Sequence, residues 1–270
     1  MGKITLEQRN RYAAKVKEYK STIDLSLAAE QTLLTLLKQQ AQGSGYVRIK
    51  LAEETLVLTS YNILINTLSV ALLGIKNEDY LADARKSIGR CIKYLEDLVT
   101  PYVDVPFSDY EKNLEEISEV TYEDRYSLLR KIGFAIRQIE DGYGANSKWK
   151  WAFAEIYAKF AVVAKNMLDM KKAFQDMDLA SQNRQVVHSY ISFVKKHLQV
   201  SADRYREKYE MFSNKMEDFK QAILYLNALR RMHTVFAERA EADELKKKIE
   251  IWSAKLETDQ KKREEEAGRK

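Results

Sequence analysis

The sequence predicts an all-α protein, an elongated multi-helix bundle with long, coiled-coil-like helices in its C-terminal half. The 270 residues include two prolines and nine glycines, too few for the frequent turns that a strand-rich fold of this length requires. Valine and isoleucine form no alternating runs, whereas apolar residues recur three or four positions apart, as in amphipathic helices. From Ala145 to Ala267 the chain contains neither glycine nor proline, so helices in this half are long or turn on Asn, Asp and Ser.

The first helix is predicted to begin at a capping box, in which Thr5 is the N-cap and Gln8 reaches back to it. Gly43 and Gly45 are predicted to end this helix. Its apolar positions are mostly three or four residues apart, which predicts that one side of the helix packs on the bundle. These positions are Tyr12, Val16, Tyr19, Ile23, Leu27, Leu34 and Leu37.

The second helix, predicted over about 47–73, contains most of a stretch without any formal charge, residues 55–75. Its polar residues form one narrow stripe along the helix, because they are spaced three and four apart. A helix that is apolar nearly all round, with one polar seam, is expected where other helices cover it on three sides. We therefore interpret it as the central helix of a soluble bundle, with a single-pass membrane anchor as the alternative. The stripe consists of Thr55, Thr59, Asn62, Asn66 and Ser69.

A third helix is predicted over about 78–99, with Asn77 as its N-cap. Both prolines follow in an irregular connector. Ser108 with Glu111 predicts a capping box for a short helix after this connector.

Thr121 is predicted to cap the next helix, which Gly142 and Gly144 end. After a further dense apolar helix, the best break lies near Asp178, a predicted N-cap. These signals come from residues that favour helix termini over helix interiors.

The most regular apolar spacing covers residues 182–236, where intervals of three and four continue over many turns. One unbroken helix over this range would be about 80 Å long. This length exceeds a compact domain, so we favour a long helix that projects or has a shallow kink, and the alternative is a bend where a new segment starts near Ser201.

Together these elements predict two bundles and a tail. Residues beyond Thr258 are almost all charged and are expected to fray. The alternative is that all helices pack as one continuous domain. The predicted segments are an N-terminal three-helix bundle (1–100), an acidic connector with a short helix (101–121), a long-helix bundle (122–258) and a charged tail (259–270).

The sequence contains no familiar constellation of catalytic or ligand-binding residues. The three histidines, His188, His197 and His233, lack the spacing of zinc or di-iron motifs. Phosphate-loop, dinucleotide-binding and nucleophile-elbow motifs are also missing. We therefore predict no catalytic, cofactor-binding or metal site, and a protein that is not an enzyme. The single cysteine, Cys91, is predicted to be a small buried residue and not a reactive thiol.

Aromatic residues are abundant, with 16 tyrosines, nine phenylalanines and three tryptophans. Most fall on helix seams, where core packing explains them. The others are candidate anchors for a protein partner, because aromatic side chains are enriched at buried contacts between subunits. The candidate interaction residues are Trp149, Trp151, Tyr102, Phe107 and Tyr143.

Charge is distributed unevenly along a chain whose net charge is +5. Residues 104–124 contain eight carboxylates against one lysine, a net of −7, and residues 1–20 contain six cations against two carboxylates, a net of +4. A solvated face is the default interpretation of each. The alternative is that the two segments pair, within the chain or head to tail between copies, and the second case builds rings or filaments. The candidate basic patch is Arg9, Arg11, Lys15, Lys17 and Lys20, and the candidate acidic patch is Asp109, Glu111, Glu115, Glu116 and Glu119.

These observations favour a non-enzymatic structural or scaffold protein that acts through protein–protein assembly, as a subunit of a filament, sheath or coat. One alternative is a peripheral membrane or polyanion-binding protein that uses the basic N-terminal helix. Another is an adaptor bundle that binds a partner helix or peptide in a groove. The mild, dispersed positive charge argues against a dedicated nucleic-acid binder. No signal peptide, transmembrane span or cofactor is expected, which fits a cytoplasmic protein and a processed exported chain equally.

Overall fold

The computed structural model describes residues 4–39, 44–145 and 147–268. Of the described residues, 84% are helical, and they form ten α-helices and no strand, which confirms the all-α prediction. A 3-10 turn at Phe107–Asp109 and a π-helical turn at Tyr209–Ser213 complete the elements. The helices are α1 (Leu6–Gln39), α2 (Ser44–Leu73), α3 (Glu78–Leu98), α4 (Glu111–Glu116), α5 (Tyr122–Tyr143), α6 (Lys150–Asn166), α7 (Met170–Gln175), α8 (Arg184–Lys208), α9 (Met216–Val235) and α10 (Arg239–Gly268).

The helices form two compact units. The described residues within 1–99 and 110–153 belong to the first unit, and those within 100–109 and 154–270 belong to the second. This division differs from the predicted one, which placed α5 in the C-terminal bundle, because α5 packs on α2 and α3 of the first unit. The apolar period of α5 specified a buried face but not the helices that cover it.

Side-chain caps fix three helix starts where the sequence predicted them. The backbone N–H of Gln8 donates to Oγ1 of Thr5 (3.2 Å), and the N–H of Thr5 donates to Oε1 of Gln8 (2.8 Å), so the capping box is confirmed. Asn77 and Thr121 each accept a hydrogen bond from the N–H three residues further on. Each bond satisfies an N–H that the helix leaves unpaired at its start.

Two predicted caps are wrong. Ser108 lies inside the 3-10 turn, and α4 begins at Glu111 without a side-chain cap. Asp178 accepts a hydrogen bond from the N–H of Ala180 in a turn, and α8 begins only at Arg184. Serine and aspartate form local turns as readily as caps, so residue type alone did not distinguish the two.

The helix α2 packs against α1, α3 and α5, which confirms that other helices cover it on three sides. Its polar stripe is buried inside the first unit, where Thr55 lies beside Cys91 of α3. The stripe is stable there because Thr55, Thr59 and Asn62 donate to carbonyls four residues earlier in α2. Asn66 and Ser69 bind the backbone of the connector that follows α2.

The C-terminal half contains two helices where we favoured one. The helix α8 ends at Lys208, and after the π-helical turn Asn214 adopts a left-handed conformation with φ of 48°. The next helix, α9, begins at Met216. The preferred prediction of one continuous helix over 182–236 is therefore wrong, and the coiled-coil-like length is not confirmed. Ser201, where a bend was the alternative, lies inside α8.

The helices α8 and α9 pack against each other as an antiparallel hairpin. The ring of Tyr205 stacks on Tyr225 with 5.9 Å between centroids, and Tyr209 stacks on Phe219 at 4.8 Å. Both helices therefore bury their apolar stripes against each other. Because the spacing of three and four residues continues through the turn, the period gave no sign of the reversal.

The helix α10 packs against α9 and continues to Gly268, through the segment predicted to fray. The hydroxyl of Tyr209 donates to Asp259 (2.8 Å), and the guanidinium of Arg263 donates to the carbonyl of Asn214. These bonds connect the charged end of α10 to the turn of the hairpin. Its charged residues therefore form a solvated face of a helix.

Candidate functional site

A long apolar groove lies on the surface of the first unit between α2 and α5. We call it the α2–α5 groove, and its volume is about 1040 Å³. This volume is in the range of sites that bind large ligands or inserted side chains. Its apolar walls include Tyr46, Val57 and Leu64 of α2 and Leu128, Phe134 and Ala135 of α5.

The two walls run in the same direction. At the start of α2, a Cβ atom on Gly45 would lie 2.8 Å from Cγ2 of Ile117, which precedes α5. Near the end of α5, a Cβ atom on Gly142 would lie 3.5 Å from Nδ2 of Asn66 in α2. The lining residues of α2 span 46–67, about 32 Å of helix, which matches a bound helix of about 20 residues.

The groove is apolar because the polar stripe of α2 occupies the opposite side of the helix. Thr55 and Leu64 are nine residues apart, which is half a turn around an α-helix. In the groove, the side chains of Leu64 and Phe134 remain 43% and 59% exposed. Large apolar side chains exposed in one groove commonly mark a site of interaction.

The helix α2 is also the one helix among the described residues that is long and apolar enough to cross a membrane. In its most apolar window, 39% of the residues are buried in the structure. Asn62 and Asn66 make their hydrogen bonds within the first unit, and Lys50 forms an ion pair with Glu53 (2.6 Å) on the groove side. These polar contacts favour a bundle helix with one open apolar side.

The chain matches the model of one protein family. The model of the TP0443 family matches residues 8–260, which include both walls of the α2–α5 groove. The chain belongs to the TP0443 family. No curated protein and no solved structure matches it.

In this member of the TP0443 family, the predicted interaction aromatics lie outside the groove. Tyr143 is buried, with 5.8 Å between its ring centroid and that of Trp149 and 6.1 Å to that of Phe153. The guanidinium of Arg85 lies 4.1 Å from the ring centroid of Trp149, a cation–π contact. These contacts make Tyr143 and Trp149 part of the packing of the first unit.

Of the other three aromatics, Trp151 belongs to the first unit, and Tyr102 and Phe107 belong to the second. Lys150 lies 4.6 Å from the ring centroid of its neighbour Trp151. In the second unit, Tyr102 is exposed, and the ammonium of Lys171 lies 5.0 Å from the ring centroid of Phe107. Aromatic content alone therefore did not locate the apolar surface of the first unit.

The predicted basic patch is spread around α1 and does not form one face. All five cations are exposed. At 100° per residue, Arg11 and Lys15 point more than 100° away from Lys17 and Lys20. The ammonium of Lys15 is paired with Glu18 in the same helix (2.7 Å). Arg9, Lys17 and Lys20 lie within about 80° of one another around the helix, so three of the five cations share a side.

The predicted acidic patch lies partly beside the groove. Asp109, Glu115, Glu116 and Glu119 are exposed, and Glu111 is half-buried. Glu119 lines one end of the groove, and Oε2 of Glu116 would lie 3.4 Å from a Cβ atom on Gly45, at the start of α2. The sequence thus located this charge but not the apolar surface next to it.

Two histidines of the second unit, His197 and His233, contact neighbouring side chains, whereas His188 is exposed. The ring of His197 lies 4.4 Å from that of Phe193. His233 and Lys195 both contact the carboxylate of Glu238, which connects α8 and α9 to the start of α10. Burial raises the pKa of Glu238, but the hydrogen bonds and charges of Lys195 and His233 outweigh this and hold the pKa below its usual value. Within the described ranges, no group of three or more His, Cys, Asp or Glu side chains could hold a metal ion.

Cys91 is buried, as predicted, and burial raises the pKa of its thiol to about 12. We expect the native chain to react with Ellman's reagent at pH 8 at least about a hundredfold more slowly than the unfolded chain, because the thiolate is the nucleophile. The control is Ser21→Cys, since Ser21 is exposed on α1, and its new thiol is expected to react at once. Rapid labelling of the native wild-type chain would contradict this prediction.

Proposed function

We propose that the chain is a non-enzymatic scaffold protein that acts through protein–protein contact, and that the α2–α5 groove binds an amphipathic helix of a partner polypeptide. The observation that carries this proposal is the exposure of Leu64 and Phe134 in an apolar groove about as long as a 20-residue helix. The sequence favours a protein that acts through protein–protein assembly, and an adaptor that binds a partner helix is the alternative. The groove supports binding of a partner helix as the mode of protein–protein contact.

A helix suits this groove better than an extended peptide does. Both walls are helices, whose backbone groups are already paired, so they offer no edge to which a strand could add. A helix satisfies its own backbone groups and can enter an apolar groove without leaving them unpaired. Val57 and Leu64 are seven residues apart, the interval at which a bound helix also presents its anchors.

The expected strength of this contact follows from the two exposed side chains. Full burial of a leucine or phenylalanine contributes about 1.5–3 kcal/mol. Leu64 and Phe134 are each about half buried already, so covering both contributes about 2 kcal/mol. Their loss should weaken binding by about thirtyfold or more.

The test uses a displayed library of amphipathic helical peptides of about 18 residues, selected on the full chain. Affinities of the selected peptides are then measured by fluorescence anisotropy. The double variant Leu64→Asp/Phe134→Asp is expected to raise their Kd by at least about thirtyfold. Both residues are exposed, so the circular dichroism spectrum and thermal midpoint should change little.

The matched control places aspartate at two leucines outside the groove that are more exposed than Leu64 and Phe134. Leu25 is 70% exposed on α1, and Leu179 is 83% exposed in the second unit. The variant Leu25→Asp/Leu179→Asp is expected to bind the selected peptides as the wild type does. The proposal fails if no peptide is selected, or if the selected peptides bind the groove variant unchanged.

Two other occupants are distinguished by separate measurements. If a second copy fills the groove, light scattering shows an oligomer that the groove variant converts to a monomer. If a membrane fills it, the wild type floats with anionic vesicles and the groove variant does not. Either result replaces the partner helix as the occupant.

A further inference from the structure

We infer that the partner helix carries its basic residues at the end that lies beside Glu119 and Asp124. This inference rests on the proposed function, because it describes the occupant of the same groove. It follows from the charges that line the groove, with the carboxylates of Glu119 and Asp124 at one end and the exposed cation Lys131 further along α5. We call that end the Val120 end and the other the Gln138 end, after lining residues of each.

The Val120 end is acidic. Glu119 and Asp124 line it and are exposed. Residues 111–124, which lead along α4 into α5, contain six carboxylates against one lysine. Asp124 also accepts a hydrogen bond from the hydroxyl of Thr121 (2.8 Å), which holds its carboxylate at the start of α5.

The cations nearest to this end do not neutralise it. Lys50 lines the groove, but its ammonium is paired with Glu53 (2.6 Å). Arg125 is buried, and its guanidinium donates to the carbonyls of Val120 (2.9 Å) and Ile117 (2.6 Å), so it stabilises the end of α4 from within. The exposed carboxylates therefore remain available to a partner.

The Gln138 end carries no comparable charge. Thr67 and Gln138, which line it, are uncharged. The next charged residues of α5 beyond Phe134 are Arg137, which is exposed, and Glu140 with Asp141. One cation among these carboxylates gives a weaker field than that of the Val120 end, so a helix with one basic end should dock in a single direction.

The expected gain in affinity from a basic end follows from the known strength of exposed ion pairs. Each contributes about 0.2–1 kcal/mol and weakens as salt screens it. Two such pairs, each near the middle of that range, should change affinity by about three- to tenfold at low salt. The apolar contacts supply most of the affinity, and the charges select the orientation.

The experiment uses three versions of one groove-binding peptide from the selected library, with three lysines, three glutamines or three glutamates at the same end. Kd is measured by anisotropy at low and high salt on the full chain. We expect the lysine version to bind about three- to tenfold more tightly than the glutamine version, and the glutamate version to bind more weakly, with the differences shrinking at high salt. A benzophenone at the lysine end should crosslink near the Val120 end.

Charge reversal provides the decisive variants. Glu119→Lys/Asp124→Lys is expected to invert the order of the three peptides, and Glu119→Lys alone, which keeps the bond between Thr121 and Asp124, should abolish most of the preference. The control Glu7→Lys/Asp24→Lys makes the same change in net charge at exposed positions of α1 and should leave the order unchanged.

The outcomes separate this inference from the proposed function. If the three peptides bind equally and still require Leu64 and Phe134, the groove binds helices but the inference about the basic end is overturned. If crosslinks form at the Gln138 end, it is also overturned. If no peptide depends on Leu64 and Phe134, the proposed function itself fails.

Discussion

Replacing Glu30 with alanine is expected to lower the free energy of unfolding of the first unit by about 3 kcal/mol and to loosen α1. Glu30 is buried, and its carboxylate accepts hydrogen bonds from the guanidinium of Arg90 (2.9 and 3.1 Å) and the hydroxyl of Tyr94 (2.8 Å), both on α3. Breaking a buried ion pair typically costs about 3–5 kcal/mol. Arg90 is partly exposed, so water replaces some of the lost contact and the lower end of that range applies.

The effect should be concentrated in α1, because Ser26 and Glu30 are the buried residues among those described in this helix. Urea unfolding followed by circular dichroism measures the change in stability. Hydrogen–deuterium exchange should show at least about tenfold faster exchange of α1 amides in Glu30→Ala. The control Asp24→Ala, at an exposed position of the same helix, should change stability by less than about 0.5 kcal/mol. Equal effects of the two variants would contradict the anchoring role of Glu30.

Replacing Asn166 with alanine is expected to destabilise the second unit by about 3 kcal/mol. Asn166 is buried, and its Nδ2 donates to the carbonyls of Thr100 (3.2 Å) and Tyr102 (3.0 Å), while its Oδ1 accepts from the ammonium of Lys165 (2.8 Å). A buried polar group that loses its partner costs about 1–3 kcal/mol. Lys165 is especially sensitive to the loss of this acceptor, because its ammonium is buried. Burial, followed by repulsion from Arg231, lowers the pKa of this ammonium to about 8.

The pH dependence gives a second readout of this prediction. Below pH 8, Lys165 is protonated in the folded and the unfolded chain, so the full cost of the buried cation is present. Between pH 8 and about 10.4 the unfolded chain binds this proton and the folded chain releases it, so stability rises with pH. The stability deficit of Asn166→Ala, which is its loss in free energy of unfolding relative to the wild type, should therefore shrink from pH 7 to pH 10, since a neutral amine needs its acceptor less.

Urea titrations at several pH values measure this deficit. Asn183→Ala is the matched control, because Asn183 is exposed at the start of α8 and makes no side-chain capping bond. It should change stability by less than about 0.5 kcal/mol at every pH. Asn166→Asp keeps an acceptor for Lys165 but loses the donors to the two carbonyls, so it should fall between wild type and Asn166→Ala. A deficit of Asn166→Ala that grows with pH would contradict the role assigned to Lys165.

The helices that were predicted most accurately are those whose ends depend on neighbouring residues. Thr5, Asn77 and Thr121 cap their helices by bonds to residues three positions away, so a short window of sequence contains all the information. The turn at Asn214 is different. Its left-handed conformation is stabilised when α8 and α9 bury their stripes together, and those contacts connect residues that are distant in sequence. The uninterrupted period therefore favoured one helix where the chain forms two.

The candidate site was predictable in part. The spacing of Tyr46, Val57 and Leu64 on the side of α2 opposite its polar stripe was present in the sequence, and it could have indicated the groove. The predicted interaction residues instead included aromatics such as Tyr143 and Trp149, which pack within the first unit. The sequence could not have shown that Phe134 of α5 and Leu64 of α2 both remain exposed in one groove, because that depends on how α5 lies on α2.

The sequence by itself determined that this protein is helical, where several helices begin, and that α2 is apolar with one polar stripe. These properties arise from bonds and side-chain periods within a few residues, which every local segment specifies. Only the tertiary structure decided that the stripe lies inward, that α5 joins the first unit, and that one side of α2 stays open as a groove. A helical period specifies which face is apolar, but the partner that covers this face is selected by packing between distant segments.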